Sequence, residues 1–150
     1  MTSFFEHQKL SFRKNYIRNL IQLASADGHL DETELKVLFE IAAKRNLKEW
    51  QVKELLKDTT PFEVFIPESF LNKMTLLFDL MRLIYADGVV DESEIAYIRF
   101  ILASFKLSPG VISELFIMFQ NGTPDSDTWR EFTESLMIEH QPVDRFVTIL

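Results

Sequence analysis

The sequence predicts an all-α fold of about seven helices, and three observations carry that expectation. Apolar residues recur at spacings of three and four over most of the chain, which draws helical stripes rather than strand alternation. Only four glycines and five prolines occur, and they fall between the periodic segments. The pattern is also written twice, sixty residues apart, and the second copy keeps the register of the first.

The first helix spans about residues 10–26, with Ile17, Leu20, Ile21 and Ala24 on one stripe. Asp27-Gly28 stops it, the glycine taking the left-handed conformation after the helix. Asp31 is the expected N-cap of the second helix, and Glu34 stands at the capping-box spacing. Leu35, Leu38, Ile41 and Ala42 line that helix, which ends near Asn46. A third helix runs over about residues 48–57, with Trp50 at its start and Val52, Leu55 and Leu56 inward.

Residues 59–67 then read as an extended strap, because Pro61 and Pro67 push their predecessors out of the helical region. Phe62, Phe65 and Ile66 are expected to lie in a groove. From about residue 68 the pattern repeats. A fourth helix carries Leu77, Leu80, Met81 and Ile84, is apolar on more than one face, and is expected to be the most buried. Asp87-Gly88 ends it, and Asp91 and Glu94 open a fifth with Ile95, Ile98, Ile101 and Leu102. Ser108-Pro109 is expected to cap a sixth, which stops at Asn121-Gly122. A seventh runs from about Asp127 to Glu139, and the tail after it holds Phe146, Val147, Ile149 and Leu150.

One domain over residues 1–150 follows, with repeat one over about 10–58, repeat two over about 68–120, and a C-terminal helix and tail over 125–150. Asp27, Gly28, Asp31 and Glu34 match Asp87, Gly88, Asp91 and Glu94, and Leu20, Ile41, Leu47 and Leu55 match Leu80, Ile101, Leu107 and Leu115. Both loop and core stay aligned, so the two helix-loop-helix-helix units are expected to be a duplication packed with pseudo-two-fold symmetry.

Composition narrows the function. A net charge of −7 repels phosphate backbones, so nucleic acid is an unexpected partner and a cation or basic surface an expected one. The absence of cysteine removes disulfides and thiolate chemistry and suits a cytoplasmic location. The first residues do not read as a signal peptide, and no run of roughly 18 apolar residues predicts a membrane span.

Each copy reads Ala-Asp-Gly-x-x-Asp-Glu-x-Glu. Hard divalent cations take several oxygen ligands, and Asp27, Asp31 and Glu34 can converge about one helix start, with Asp87, Asp91 and Glu94 about the other. Capping alone also accounts for Asp31, Glu34, Asp91 and Glu94, since carboxylates are favoured at a helix N-terminus. It does not require Asp27 and Asp87. An EF-hand loop is half matched, with Asp27 at its fifth position and Glu34 at its last. The first and third positions fail, holding Leu23 and Ser25 in one copy and Leu83 and Tyr85 in the other.

Two such motifs in a small acidic helical chain resemble the TerB-like family, named for bacterial tellurite resistance, of which a related domain occurs in some membrane-anchored DnaJ-like proteins. The resemblance covers roughly residues 17–116. It implies an all-helical fold and a metal-associated role in bacterial stress responses, and it extends to Asp27, Asp31, Glu34, Asp87, Asp91 and Glu94. A J-domain is absent, the nearest match to its His-Pro-Asp signature being His140-Gln141-Pro142.

No catalytic set is legible. There is no Glu-x-x-His pair for a di-iron site, no His-Glu-x-x-His and no glycine-rich phosphate loop. His29 reads as a loop histidine, its counterpart being Val89. The expectation is therefore a non-enzymatic acidic binding module whose loops hold a divalent cation (calcium, magnesium or zinc). The alternative is an adaptor for a protein partner, in which the loops only cap helices. Either leaves room for a homodimer.

Overall fold

The computed structural model describes residues 4–26, 28 and 30–139, with the backbone alone for residues 4–7. Seven helices and no strand occur among them: α1 (Phe4–Ala24), α2 (Glu32–Lys44), α3 (Glu49–Lys57), α4 (Phe70–Ile84), α5 (Glu92–Ser104), α6 (Val111–Phe119) and α7 (Ser126–Glu139). The tail beyond residue 139 lies outside the described residues, as do Asp27 and His29.

The core forms around α4, as its all-round apolar sequence predicts. Met74, Leu76, Leu77, Leu80, Met81, Leu83 and Ile84 are all buried, and α1, α2, α6 and α7 pack on this helix. Its outer edge departs from the expectation. Leu71 is 59% exposed, because the first turn of α4 lies at the surface. The second central helix is α1, which buries Tyr16, Ile17, Leu20, Leu23 and Ala24 and is touched by α2, α3, α4 and α5.

The first unit, α1–α3, and the second, α4–α6, share their local design. The second helices, Glu32–Lys44 and Glu92–Ser104, are offset by sixty residues. Each central helix is followed by a glycine of positive φ, Gly28 at 84° and Gly88 at 78°. A Cβ at either would meet nothing within 4 Å, so the backbone angle rather than space calls for glycine. The second helices end alike. Leu47 N–H donates to Ala42 C=O and Asn46 N–H to Ala43 C=O, while Leu107 and Lys106 repeat the pattern onto Leu102 and Ala103. This double bond to the last turn requires a left-handed residue, supplied by Asn46 at φ 63° and Lys106 at φ 61°.

Two local expectations are corrected. Ser108-Pro109 does not start α6. Val111 N–H closes back on Ser108 C=O at 3.1 Å, so these residues form a turn and the helix begins at Val111 behind Gly110. In the strap, Phe62 and Phe65 are half-buried but Ile66 is 44% exposed. Pro67 is buried and Val64 packs against the core in its place, because the chain turns at Ser69 to cap α4 and carries Ile66 outward.

Amide side chains of α1 hold the strap by its backbone. Asn19 donates to Phe65 C=O at 2.7 Å and accepts from Phe65 N–H at 2.9 Å, and Gln22 donates to Phe62 C=O at 2.7 Å. Arg18 lies 4.3 Å over the Phe62 ring.

Candidate cation site between the acidic loops

Each second helix begins at the aspartate the sequence predicts. Asp31 accepts from the Glu34 N–H at 2.8 Å, satisfying one of the donors a helix start leaves open. At α5 the box is reciprocal, with Asp91 capping the first turn and Glu94 Oε1 accepting from Asp91 N–H at 2.9 Å. The Ser93 hydroxyl and N–H both donate to Asp91, at 2.6 and 2.8 Å, and hold its carboxyl below the usual carboxylate range. Glu34 and Glu94 are each only 6% exposed. Asp87 accepts from Val89 N–H at 2.9 Å, which tightens the loop after α4.

The packing of α2 on α4 brings the start of one helix to the end of the other. One carboxylate oxygen each from Asp31, Glu34 and Asp87 lies within 4.8 Å of the others. The sequence grouped Asp31 and Glu34 with Asp27, and Asp87 with Asp91 and Glu94. The structure draws Asp87 to the opposite loop, and Asp27 lies outside the described residues. Sequence reasoning had every member of this trio but not the pairing across the two units. The leucines at the EF-hand ligand positions, Leu23 and Leu83, are fully buried in the core and face away from solvent chemistry.

Three acids so close repel one another unless a cation or solvent intervenes, on the order of 1 kcal/mol per pair at ~4 Å in water. Their chemistry suits hard cations, which prefer oxygen ligands. Oxygens on opposite sides of a calcium ion stand about 4.6–5.2 Å apart, twice its usual bond length. Three oxygens within 4.8 Å of one another can lie on one such sphere. Zinc prefers nitrogen and sulfur ligands, and the chain has no cysteine.

A second polar centre was not foreseen. Tyr16 of α1 donates its hydroxyl to Asp79 of α4, and the Arg45 guanidinium pairs with the same carboxylate at 2.8 Å while covering the Tyr16 ring at 4.4 Å. Burial, reinforced by the Asp79 charge, pushes the Tyr16 hydroxyl far above its ordinary range, so it stays a proton donor. A tyrosine and an aspartate at apolar-stripe positions were the available signal.

Among the described residues, no helix is long and apolar enough to cross a membrane. Compared with known proteins, the chain matches no family model, no curated protein and no solved structure.

Proposed function

We propose that this chain is a non-enzymatic binding module whose paired acidic loops hold a divalent cation of the calcium or magnesium class. The observation that carries the reading is the approach of Asp87 to Asp31 and Glu34. Capping explains Asp31 without a ligand, but it supplies no reason to set a third carboxylate beside the pair. A cation bridging them would tie the end of α4 to the start of α2, so binding would tighten the contact between the two units. The duplicated motif, read as a pseudo-two-fold repeat, adds Asp91 and Glu94 at the start of α5 as a second pair of acids. The TerB-like resemblance, with its metal-associated role in bacterial stress responses, rests on the same six acids.

Calorimetric titration with calcium, magnesium, manganese and zinc tests this directly. Heat and a raised melting temperature are expected with calcium or magnesium, about 2.7 kcal/mol of added stability at a hundredfold excess over Kd. Asp87→Asn should abolish both while leaving the metal-free fold within about 1 kcal/mol of wild type. Absence of any response at millimolar cation would reject the site. The adaptor reading would then stand on the apolar side chains left at the surface, among them Phe100, Ile117 and Ile138.

A further inference from the structure

From Gln8 to its end, α1 carries Lys9, Arg13, Lys14 and Arg18 and no acid, in a chain whose net charge is −7. Arg18 faces Asp58 at 3.8 Å. Among the described residues, Lys9, Arg13 and Lys14 have no ion pair. The same helix carries a polar stripe of Gln8, Ser11, Asn15, Asn19 and Gln22, spaced by three and four residues and so on one face. The strap occupies only the C-terminal part of that stripe. There Asn19 both donates to and accepts from the Phe65 backbone, and Gln22 donates to Phe62 C=O.

Beyond Phe65 the strap leaves the stripe to start α4, and a cavity of about 650 Å³ opens beside the N-terminal half of α1. Its walls include Ser11, Phe12, Asn15, Phe65, Glu68 and Asn72. A neighbouring cavity of about 490 Å³ shares Phe12 and Asn72 with it and adds Lys9 and Arg13. Lys14 stands on the other flank, in a groove that shares Ser11 and Asn15. Three cations thus border a site whose own acid is Glu68. Among the described residues, the side chains of Gln8, Ser11 and Asn15 have no hydrogen-bond partner. Phe12 meets Phe65 edge-on at 5.2 Å, so an aromatic shelf stands beside open amides.

These groups select a ligand class. An amide side chain donates and accepts at once, which matches the N–H and C=O of a peptide, and Asn19 already uses both on Phe65. A nucleic-acid backbone offers acceptors alone and is repelled by the net charge of the chain. Four helical residues rise about 6 Å, and two extended residues span about 6.6–6.8 Å. Asn15 and Ser11 therefore repeat the Asn19 position at nearly the spacing of alternate residues in an extended chain. We propose that the open half of this groove binds an extended acidic segment of a partner protein. Asn15 pairs with its main chain, Lys9, Arg13 and Lys14 meet its carboxylates, and an apolar side chain rests on Phe12 and Phe65. This inference is independent of the acidic loops.

A random peptide library displayed on phage and selected on the full chain tests this. Enriched sequences should place Asp or Glu beside an apolar or aromatic residue. An enriched peptide, synthesised with a fluorophore and titrated by anisotropy, should bind about tenfold more weakly to Lys9→Glu and to Asn15→Ala at unchanged helix content. Added salt should weaken it further, since the cations are at the surface. Should Asn15→Ala reduce helix content, Lys9→Glu carries the test, because Lys9 is exposed. No enrichment above a parallel selection on the Lys9→Glu chain, or enrichment of basic sequences, would overturn the site. A peptide that binds both variants as tightly as wild type would overturn it equally, by sitting elsewhere. An oligothymidylate that binds the chain more tightly than the peptide and displaces it would replace the acidic peptide with a nucleic acid.

Discussion

The two units share caps, glycine turns and core positions, yet they finish their outer faces differently. In the second unit, α7 lies over α4 and α6, where Trp129 packs on Phe78 at 5.1 Å and on Phe119 at 5.9 Å between ring centres. In the first unit the position of Phe78 is held by Arg18, which faces Asp58 across 3.8 Å, and no seventh helix covers it. The counterpart groove between α1 and α3 is lined by polar residues such as Lys14, Asn15, Arg18, Gln51 and Glu54. Local helix design can thus be common to both units while side-chain polarity decides which face accepts another helix. The buried polar residues differ in the same way. Asn19 and Asp79 occupy matching positions, but Asn19 clasps a passing backbone and Asp79 anchors a buried charge.

The largest way to break this comparison is to write the first unit's residue into the second. Phe78→Arg would place a guanidinium beneath Trp129 without a carboxylate opposite. It should cost about 3 kcal/mol, because it removes the ring packed under Trp129 and sets a cation on a half-buried apolar face. Urea denaturation measures the loss, and a red shift in tryptophan emission would report the release of α7. Stability within half a kilocalorie of wild type would show that α7 does not depend on the apolar face.

Asn19→Ala comes next. It removes both bonds to Phe65 and should cost about 1–3 kcal/mol, with faster proteolysis within residues 58–69 as the local sign. Cleavage rates equal to wild type would mean the strap is held by its rings alone.

A smaller effect of opposite sign is expected at the left-handed turn positions. Lys106→Gly should stabilise the fold by about 1 kcal/mol, since a side chain in this conformation is strained. Asn46→Gly should gain less, because asparagine tolerates it. Equal thermal shifts for the two would remove the distinction.

The smallest effect is at the α5 cap. The Asp91 carboxyl is held low by Ser93, so its contribution is present above the unfolded carboxylate range near pH 4 and is lost as pH falls through the folded value. Ser93→Ala should make the acid limb of stability shallower. An unchanged acid limb would mean the cap does not contribute to it.

Much of this molecule was legible because its signals are local. Asp31 and Asp91 cap helices in the structure as their spacing to Glu34 and Glu94 predicts, since a cap involves residues three apart. Gly28 and Gly88 take positive φ because their own backbone demands it. The α4 stripe announced a central helix by being apolar on several sides. Pro109 misled because proline serves a turn and a first helical residue equally well, and only the closure of Val111 onto Ser108 chooses between them.

The sequence by itself determined that there are seven helices, which of them is central and which acids stand at the loops, but not that α1 begins at Phe4 or α6 at Val111. Tertiary structure alone decided which surfaces meet. Periodicity states that a face is apolar and says nothing of the face opposite. Asp87 joins Asp31 and Glu34 because α2 packs on α4. Tyr16, Arg45 and Asp79 meet because α1, the end of α2 and α4 share one interior. Those groupings depend on distances across the packed helices, which spacing along the chain does not encode.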